Sequence, residues 1–122
     1  SALRAMHNPS LDGQSPNCYY PGVGNLDVHY SSGIGNHFFY LLAEGSAATP
    51  PSPTCNGSTV VGIGRPDAER IWYRALTVYM TSTTSYGDAR RATLGAARDL
   101  FGNPSTQLSR VNGAWAAVGV VP

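Results

Sequence analysis

Apolar residues recur at helical spacing in four segments of the chain, and residues that start or stop helices flank each segment. The first segment follows Ser32 and ends at Gly45, a residue type common just after a helix. Its apolar positions are Ile34, Phe38, Leu41 and Leu42, with Phe39 and Tyr40 beside that face. Because a helix that is apolar on most sides is usually buried, we predict a central helix over residues 31–45.

A second helix is predicted to begin at Pro66, since proline is favoured at the first helical position. Asp67 and Glu69 follow in the first turn, where the helix dipole favours negative charge. The predicted core face consists of Ala68, Ile71, Trp72, Ala75, Leu76 and Tyr79. This pattern predicts one continuous helix that reaches Tyr79.

Two further helices complete the pattern. Ser85 is placed to cap the amide of Asp88, and Gly102 ends this third helix before Pro104. The last helix follows Ser105 and stops at Gly119. The predicted inner positions are Ala89, Ala92, Ala96, Leu100 and Phe101 in the third helix, and Leu108, Val111, Trp115 and Val118 in the fourth.

The remaining segments are rich in Gly, Pro, Ser and Asn, which favours loops with at most a short helical turn. We therefore expect one all-α domain of four to five helices over residues 1–122. Its parts are an irregular loop segment (1–30), the central helix (31–45), a second loop (46–60) and a helical bundle (61–122). A chain of this length can bury an independent core.

The two cysteines, Cys18 and Cys55, both lie in predicted loop sequence. We predict that they form a disulfide that pins the 46–60 loop, in a secreted, extracellular protein; the alternative is two unrelated reduced thiols. No apolar run is long enough to span a bilayer, and the N-terminus lacks the regions of a signal peptide. We expect a soluble, already processed chain with no membrane partner.

Charge gives a further exclusion. Only 12% of residues are charged and the formal net charge is +1, so we do not expect the chain to bind nucleic acid electrostatically. Hydrophobic residues make up 42% of the chain, which argues against intrinsic disorder.

Few residues suggest chemistry. There are three histidines but no HExxH or CxxC motif, so we expect no metal site built from this chain alone. His37 lies in the predicted central helix and is interpreted as structural. In Asp27-Val28-His29 a carboxylate could orient an imidazole, although such triplets are common and a structural histidine is the more frequent explanation.

Several motifs in order resemble one family. They are Leu3-Arg4-Ala5-Met6, Asp27-Val28-His29-Tyr30-Ser31-Ser32-Gly33-Ile34, Val61-Gly62-Ile63-Gly64-Arg65, Ile71-Trp72-Tyr73-Arg74-Ala75-Leu76 and Ala114-Trp115-Ala116-Ala117-Val118-Gly119-Val120. The chain resembles the C-terminal lobe of thermolysin-like (pseudolysin- and bacillolysin-type) secreted bacterial zinc metallopeptidases. The resemblance covers nearly the whole chain.

The resemblance implies an intact enzyme whose zinc is held upstream, by an HExxH motif and a further glutamate, with calcium also bound mostly upstream. No metal ligand is therefore assigned here. His29 would stabilise the oxyanion of the tetrahedral intermediate or, in another account, donate a proton. Asp27 would orient His29, as in the pseudolysin-like D-V-H; in thermolysin itself the orienting carboxylate lies five residues before the histidine, where this chain has Gly24.

By the same resemblance, residues 1–30 face the cleft, Arg4 would bind the substrate carbonyl beyond the scissile bond, and Leu3 would line the pocket that follows it. The implied activity is cleavage of peptide bonds before bulky hydrophobic residues. The implied partners are a peptide or protein substrate, the N-terminal catalytic lobe of the same protein and a protein protease inhibitor. Without the N-terminal lobe the chain would be inactive; the alternative is an autonomously folding lobe that binds peptides or an inhibitor.

Overall fold

The computed structural model describes residues 5–25 and 31–122. Within them lie four α-helices: α1 (Gly33–Glu44), α2 (Arg65–Arg74), α3 (Tyr86–Phe101) and α4 (Thr106–Ala117). A π-helical turn (Ala75–Tyr79) continues α2, and two short 3-10 helices (Pro9–Asp12 and Val23–Asn25) interrupt the first loop. The all-α prediction is confirmed.

The core is centred on two stacked aromatic rings. Phe38 of α1 and Trp115 of α4 are both fully buried, and their rings lie nearly parallel with centroids 3.8 Å apart. The indole Nε1 of Trp115 donates to Thr93 Oγ1 at 2.7 Å, and that hydroxyl donates in turn to the carbonyl of Ala89. The polar atoms of Trp115 and Thr93 therefore both have partners, which stabilises their burial in an apolar core.

Small residues let α3 approach its neighbours closely. Four alanines on its inner face are buried: Ala89, Ala92, Ala96 and Ala97. The predicted stripe is correct for three of them, whereas Leu100 and Phe101 at the end of the helix are half-buried and pack on the edge of the core.

Capping residues mark the helix ends as predicted. Ser85 Oγ accepts from the amide of Asp88 at 3.2 Å, and Ser105 Oγ accepts from the amide of Leu108 at 3.1 Å. These contacts satisfy amides that would otherwise have no partner within the helix. Gly102 ends α3 with a φ of +90°, a conformation that a residue with a Cβ rarely adopts.

The second predicted helix differs from the structure. Regular α-helix ends at Arg74, and the chain continues through the π-helical turn. The wider turn changes the direction of the side chains that lie within it. Leu76 and Tyr79, predicted to face the core, are therefore 47% and 45% exposed.

Contacts with α3 hold the π-helical turn. The Tyr79 hydroxyl donates to Asp99 Oδ2 at 2.5 Å, and Arg74 Nε donates to the same oxygen at 2.9 Å. Gly95 lies under the Tyr79 ring, since a Cβ there would come within 3.2 Å of it. The absence of a side chain at Gly95 thus lets Tyr79 lie flat on α3.

The two loops are joined to each other and to α4. Cys18 and Cys55 form the predicted disulfide. Beside it, the amide of Tyr19 donates to Val118 O and the amide of Cys55 donates to Ala117 O, both at 2.7 Å. The disulfide therefore lies at the C-terminal end of α4.

The chain returns to α1 at a close backbone contact. Gly45 follows α1 with a φ of +89°, and it forms an isolated antiparallel bridge with Val61. A Cβ on Gly62 would lie 2.5 Å from the carbonyl oxygen of Ala43. Glycine at position 62 is thus required for this approach.

Candidate functional site

The four residues predicted to act on substrate lie outside the described residues. They are Leu3, Arg4, Asp27 and His29. Their described neighbours in the sequence include Met6, Gly24 and Ser31, and these three residues line surface grooves.

The larger groove has a volume of about 560 Å³ and is called here the Tyr86 groove. Its lining includes Gly24, Ser31, Trp72, Met80 and Tyr86. Aromatic and thioether surface thus alternates with hydroxyl and backbone groups. Such a mixture suits an apolar group whose orientation is set by a few hydrogen bonds.

Tyr86 joins the start of α3 to the chain segment that enters α1. Its hydroxyl donates to the carbonyl of Ser31 at 2.6 Å and accepts from the amide of Gly35 at 3.1 Å. Burial raises the pKa of the Tyr86 phenol, while the hydrogen bond from Gly35 opposes that change. The neutral hydroxyl therefore fixes the backbone two residues after His29 in sequence.

A second, more apolar groove of about 310 Å³ adjoins the first and shares Trp72 with it. We call it the apolar groove; Met6, Phe39, Tyr73 and Leu76 line it. Tyr73 is 70% exposed, an unusual state for an aromatic ring next to other apolar surface.

His37 lies on a different side of α1 and is fully buried. Nδ1 is 2.8 Å from the carbonyl of Asn17, and Nε2 is 2.7 Å from the carbonyl of Pro53 and 3.0 Å from Ser52 Oγ. Burial lowers the pKa of His37, and the two carbonyl contacts oppose that effect. The ring joins both disulfide-linked loops to α1, which supports the structural interpretation.

Metal ions in proteins are held by sets of ligand side chains such as His, Cys, Asp and Glu. Residues 5–25 and 31–122 contain no group of three His, Cys, Asp or Glu side chains that could hold a metal ion. Among the same residues, no helix is both long and apolar enough to cross a membrane.

Comparison with known proteins identifies the family of the chain. The family described as thermolysin metallopeptidase, alpha-helical domain, matches residues 1–120. The chain belongs to this family. The resemblance predicted from the ordered motifs is confirmed.

Similar members of the thermolysin family come from several bacteria. The chain is 49% identical over 126 residues to the transglutaminase-activating metalloprotease of Streptomyces mobaraensis, covering 98% of this chain and 17% of that protein. It is 42% identical over 122 residues to bacillolysin of Brevibacillus brevis and 40% identical over 123 residues to thermolysin of Alicyclobacillus acidocaldarius subsp. acidocaldarius. These matches cover 98% of this chain and 22% and 21% of those proteins. The chain thus spans about a fifth of the length of these relatives.

Sequence reasoning about this thermolysin-family domain missed two groove residues. The role of Tyr86 is not evident from the sequence, because its partners Ser31 and Gly35 are more than fifty positions away and no local pattern indicates these contacts. Trp72 was assigned to the core face, but it is half-buried and lines both grooves.

Proposed function

We propose that the chain is the C-terminal part of a secreted zinc metalloendopeptidase that cleaves peptide bonds before bulky hydrophobic residues. The family match over residues 1–120 carries this proposal. It is supported by the relatives of the chain, which include a metalloprotease, a bacillolysin and a thermolysin.

In this proposal His29 stabilises the negative charge that develops on the substrate carbonyl oxygen, and Asp27 orients its imidazole. A positioned donor can lower the barrier of such a reaction by a few kcal/mol. The order Asp27-Val28-His29 directly before α1 supports the assignment, as does the anchoring of the next residues by Tyr86.

Arg4 and Leu3 are proposed to bind substrate. The Arg4 guanidinium would donate to the carbonyl beyond the scissile bond, and Leu3 would provide an apolar wall for the residue that follows it. The position of Met6 in the apolar groove supports this proposal, because it lies two residues after Arg4 and lines the groove together with aromatic side chains.

The N-terminal catalytic lobe of the same protein is the proposed partner of the apolar groove. The exposed Tyr73 and Leu76 beside Trp72 form a surface that favours burial against another apolar surface. The zinc ligands and most calcium ligands are proposed to lie in that lobe. Alone, residues 1–122, proposed as one helical domain, are expected to be inactive.

One observation supports secretion. The Cys18–Cys55 disulfide is typical of proteins that fold in an oxidising environment. Protein substrates and protein protease inhibitors are the proposed partners of the intact enzyme.

The test uses the full-length protein with its upstream part. His29→Ala should lower kcat roughly 10²- to 10³-fold with zinc content unchanged, because it removes a donor to the transition state. His7→Ala, which changes a histidine that contacts Tyr40 near the other loop, is the matched control and should keep kcat. An unaltered kcat in His29→Ala would remove His29 from the mechanism.

The second candidate is an autonomous helical lobe that binds peptides or an inhibitor. The continuous buried core, the capped helices and the disulfide favour independent folding. Zinc-dependent peptidase activity in the full-length protein supports the first proposal, whereas peptide binding by residues 1–122 without such activity supports the second.

A further inference from the structure

An exposed Asn-Gly pair lies immediately after Cys55. Asn56, Gly57 and Ser58 are all exposed, and Gly57 has a φ of +73°. A Cβ on Gly57 would meet no atom within 4 Å. Gly57 at the tip of this loop is therefore open to solvent and free of neighbouring side chains, while Thr54 Oγ1 donates to the carbonyl of Ser58 at 2.7 Å.

The Asn56 side chain folds back along the chain. Its Oδ1 accepts from the amide of Ser58 at 3.1 Å and from Ser58 Oγ at 2.6 Å. This turn holds the Asn56 carboxamide against the backbone that follows it. Two donors also polarise the carboxamide C=O bond.

We propose that Asn56-Gly57 is a site of spontaneous deamidation and backbone isomerisation. The Gly57 nitrogen loses its proton and bonds to Cγ of Asn56, the bond from Cγ to Nδ2 breaks, and ammonia leaves with a proton. Water then adds to either carbonyl of the resulting cyclic imide and reopens it. The product at position 56 is a normal or a β-linked aspartate; no oxidant or reductant is needed.

Three features of the loop favour this reaction. Glycine at position 57 has no side chain to obstruct ring closure. The two Ser58 donors stabilise the negative charge that forms on Oδ1 as the nitrogen attacks. Solvent exposure supplies the water that opens the imide.

The chain contains a second Asn-Gly pair, Asn112-Gly113, which serves as an internal control. It lies inside α4, where the Gly113 amide belongs to the helical hydrogen-bond ladder. Asn112 Oδ1 accepts from Arg90 Nη2 at 2.9 Å. Ring closure there requires local opening of the helix, whereas Asn56 needs no such step.

The modification changes charge and backbone length at the loop tip. A new carboxylate lowers the formal net charge from +1 to zero. The β-linkage adds the methylene group of residue 56 to the main chain. Because the amide of Cys55 is bonded to Ala117 O and the amide of Val60 to Ser46 Oγ, we expect the change to stay between these two anchors.

The experiment incubates the folded, disulfide-bonded chain at neutral pH in water enriched in heavy oxygen, followed by tryptic digestion and electron-transfer fragmentation. Cleavage after Arg70 and Arg110 places the two Asn-Gly pairs in different peptides. One heavy oxygen should enter at position 56, in both linkages. Uptake at Asn112 should be slower by about 10-fold or more, the factor given by a local opening free energy of about 1.4 kcal/mol.

Two comparisons make the proposal falsifiable. In the reduced, unfolded chain both pairs should react at similar rates, because the helix no longer protects Asn112. The proposal is overturned if folded Asn56 keeps its amide while unfolded Asn56 loses it, or if both pairs react equally in the folded chain. Asn56→Gln should abolish uptake in its peptide; persistent uptake there would assign the reaction to another residue.

Discussion

The two tryptophans contact the same phenylalanine in very different surroundings. Trp115 stacks on Phe38 with centroids 3.8 Å apart and is fully buried, whereas Trp72 lies at 6.1 Å from that ring, is half-buried and lines both grooves. Both occupy apolar positions at helical spacing. Periodicity therefore identifies apolar faces, but it does not distinguish a core position from a surface that accepts a ligand or another domain.

The largest expected effect separates these two positions. Trp115→Ala should destabilise the chain by about 3–5 kcal/mol, because it leaves a cavity beside Phe38 and removes the donor to Thr93 Oγ1. Trp72→Ala should cost less than Trp115→Ala, since the Trp72 ring packs on the edge of the core and is only partly buried. Urea unfolding of both variants measures the difference, and equal losses would contradict the comparison.

The second largest loss of stability is expected when the buried hydrogen bond between Trp115 and Thr93 is removed. Thr93→Val keeps the shape of the side chain but leaves the buried Trp115 Nε1 without its acceptor, which should cost about 1–3 kcal/mol. Thr77→Val is the matched control, because its hydroxyl bonds the carbonyl of Tyr73 at an exposed position. If both substitutions cost the same, the buried hydrogen bond has no special role.

A smaller effect is expected at the Tyr86 groove. Tyr86→Phe removes two hydrogen bonds to the segment that enters α1, and we expect a stability loss of about 1 kcal/mol. In the full-length enzyme kcat should fall more than KM changes, if this segment positions His29. Tyr20→Phe, the same change on an exposed ring outside both grooves, should leave both constants unaltered.

The smallest expected effect concerns the titration of His37 in α1. Because burial lowers the pKa of His37, the unfolded chain binds a proton more readily than the folded chain. Stability should therefore fall as pH drops below 6.5, the ordinary pKa of histidine, and the loss should continue down to the lowered pKa of the folded state. His37→Gln should flatten this slope relative to His7→Gln in thermal unfolding measured across that range. An identical slope in the two variants would show that His37 does not contribute to it.

The helices and their caps could be predicted because their signals are local. Ser85, Ser105 and Gly102 act on residues within one turn, so spacing alone indicated their roles. The disulfide was also predictable, because the chain contains only two cysteines and both lie in loop sequence. Leu3, Arg4, Asp27 and His29 stay predictions, since they lie outside the described residues.

What the sequence determined by itself was the set of helices, the all-α class and, through motifs in a fixed order, the family. The tertiary structure decided where α2 gives way to a π-helical turn, which apolar rings remain exposed, and how Tyr86 reaches Ser31. The physical reason is range: caps and periodicity depend on neighbours a few residues away, whereas the turn and the grooves depend on contacts such as Tyr79 with Gly95 and Asp99 that join distant parts of the chain.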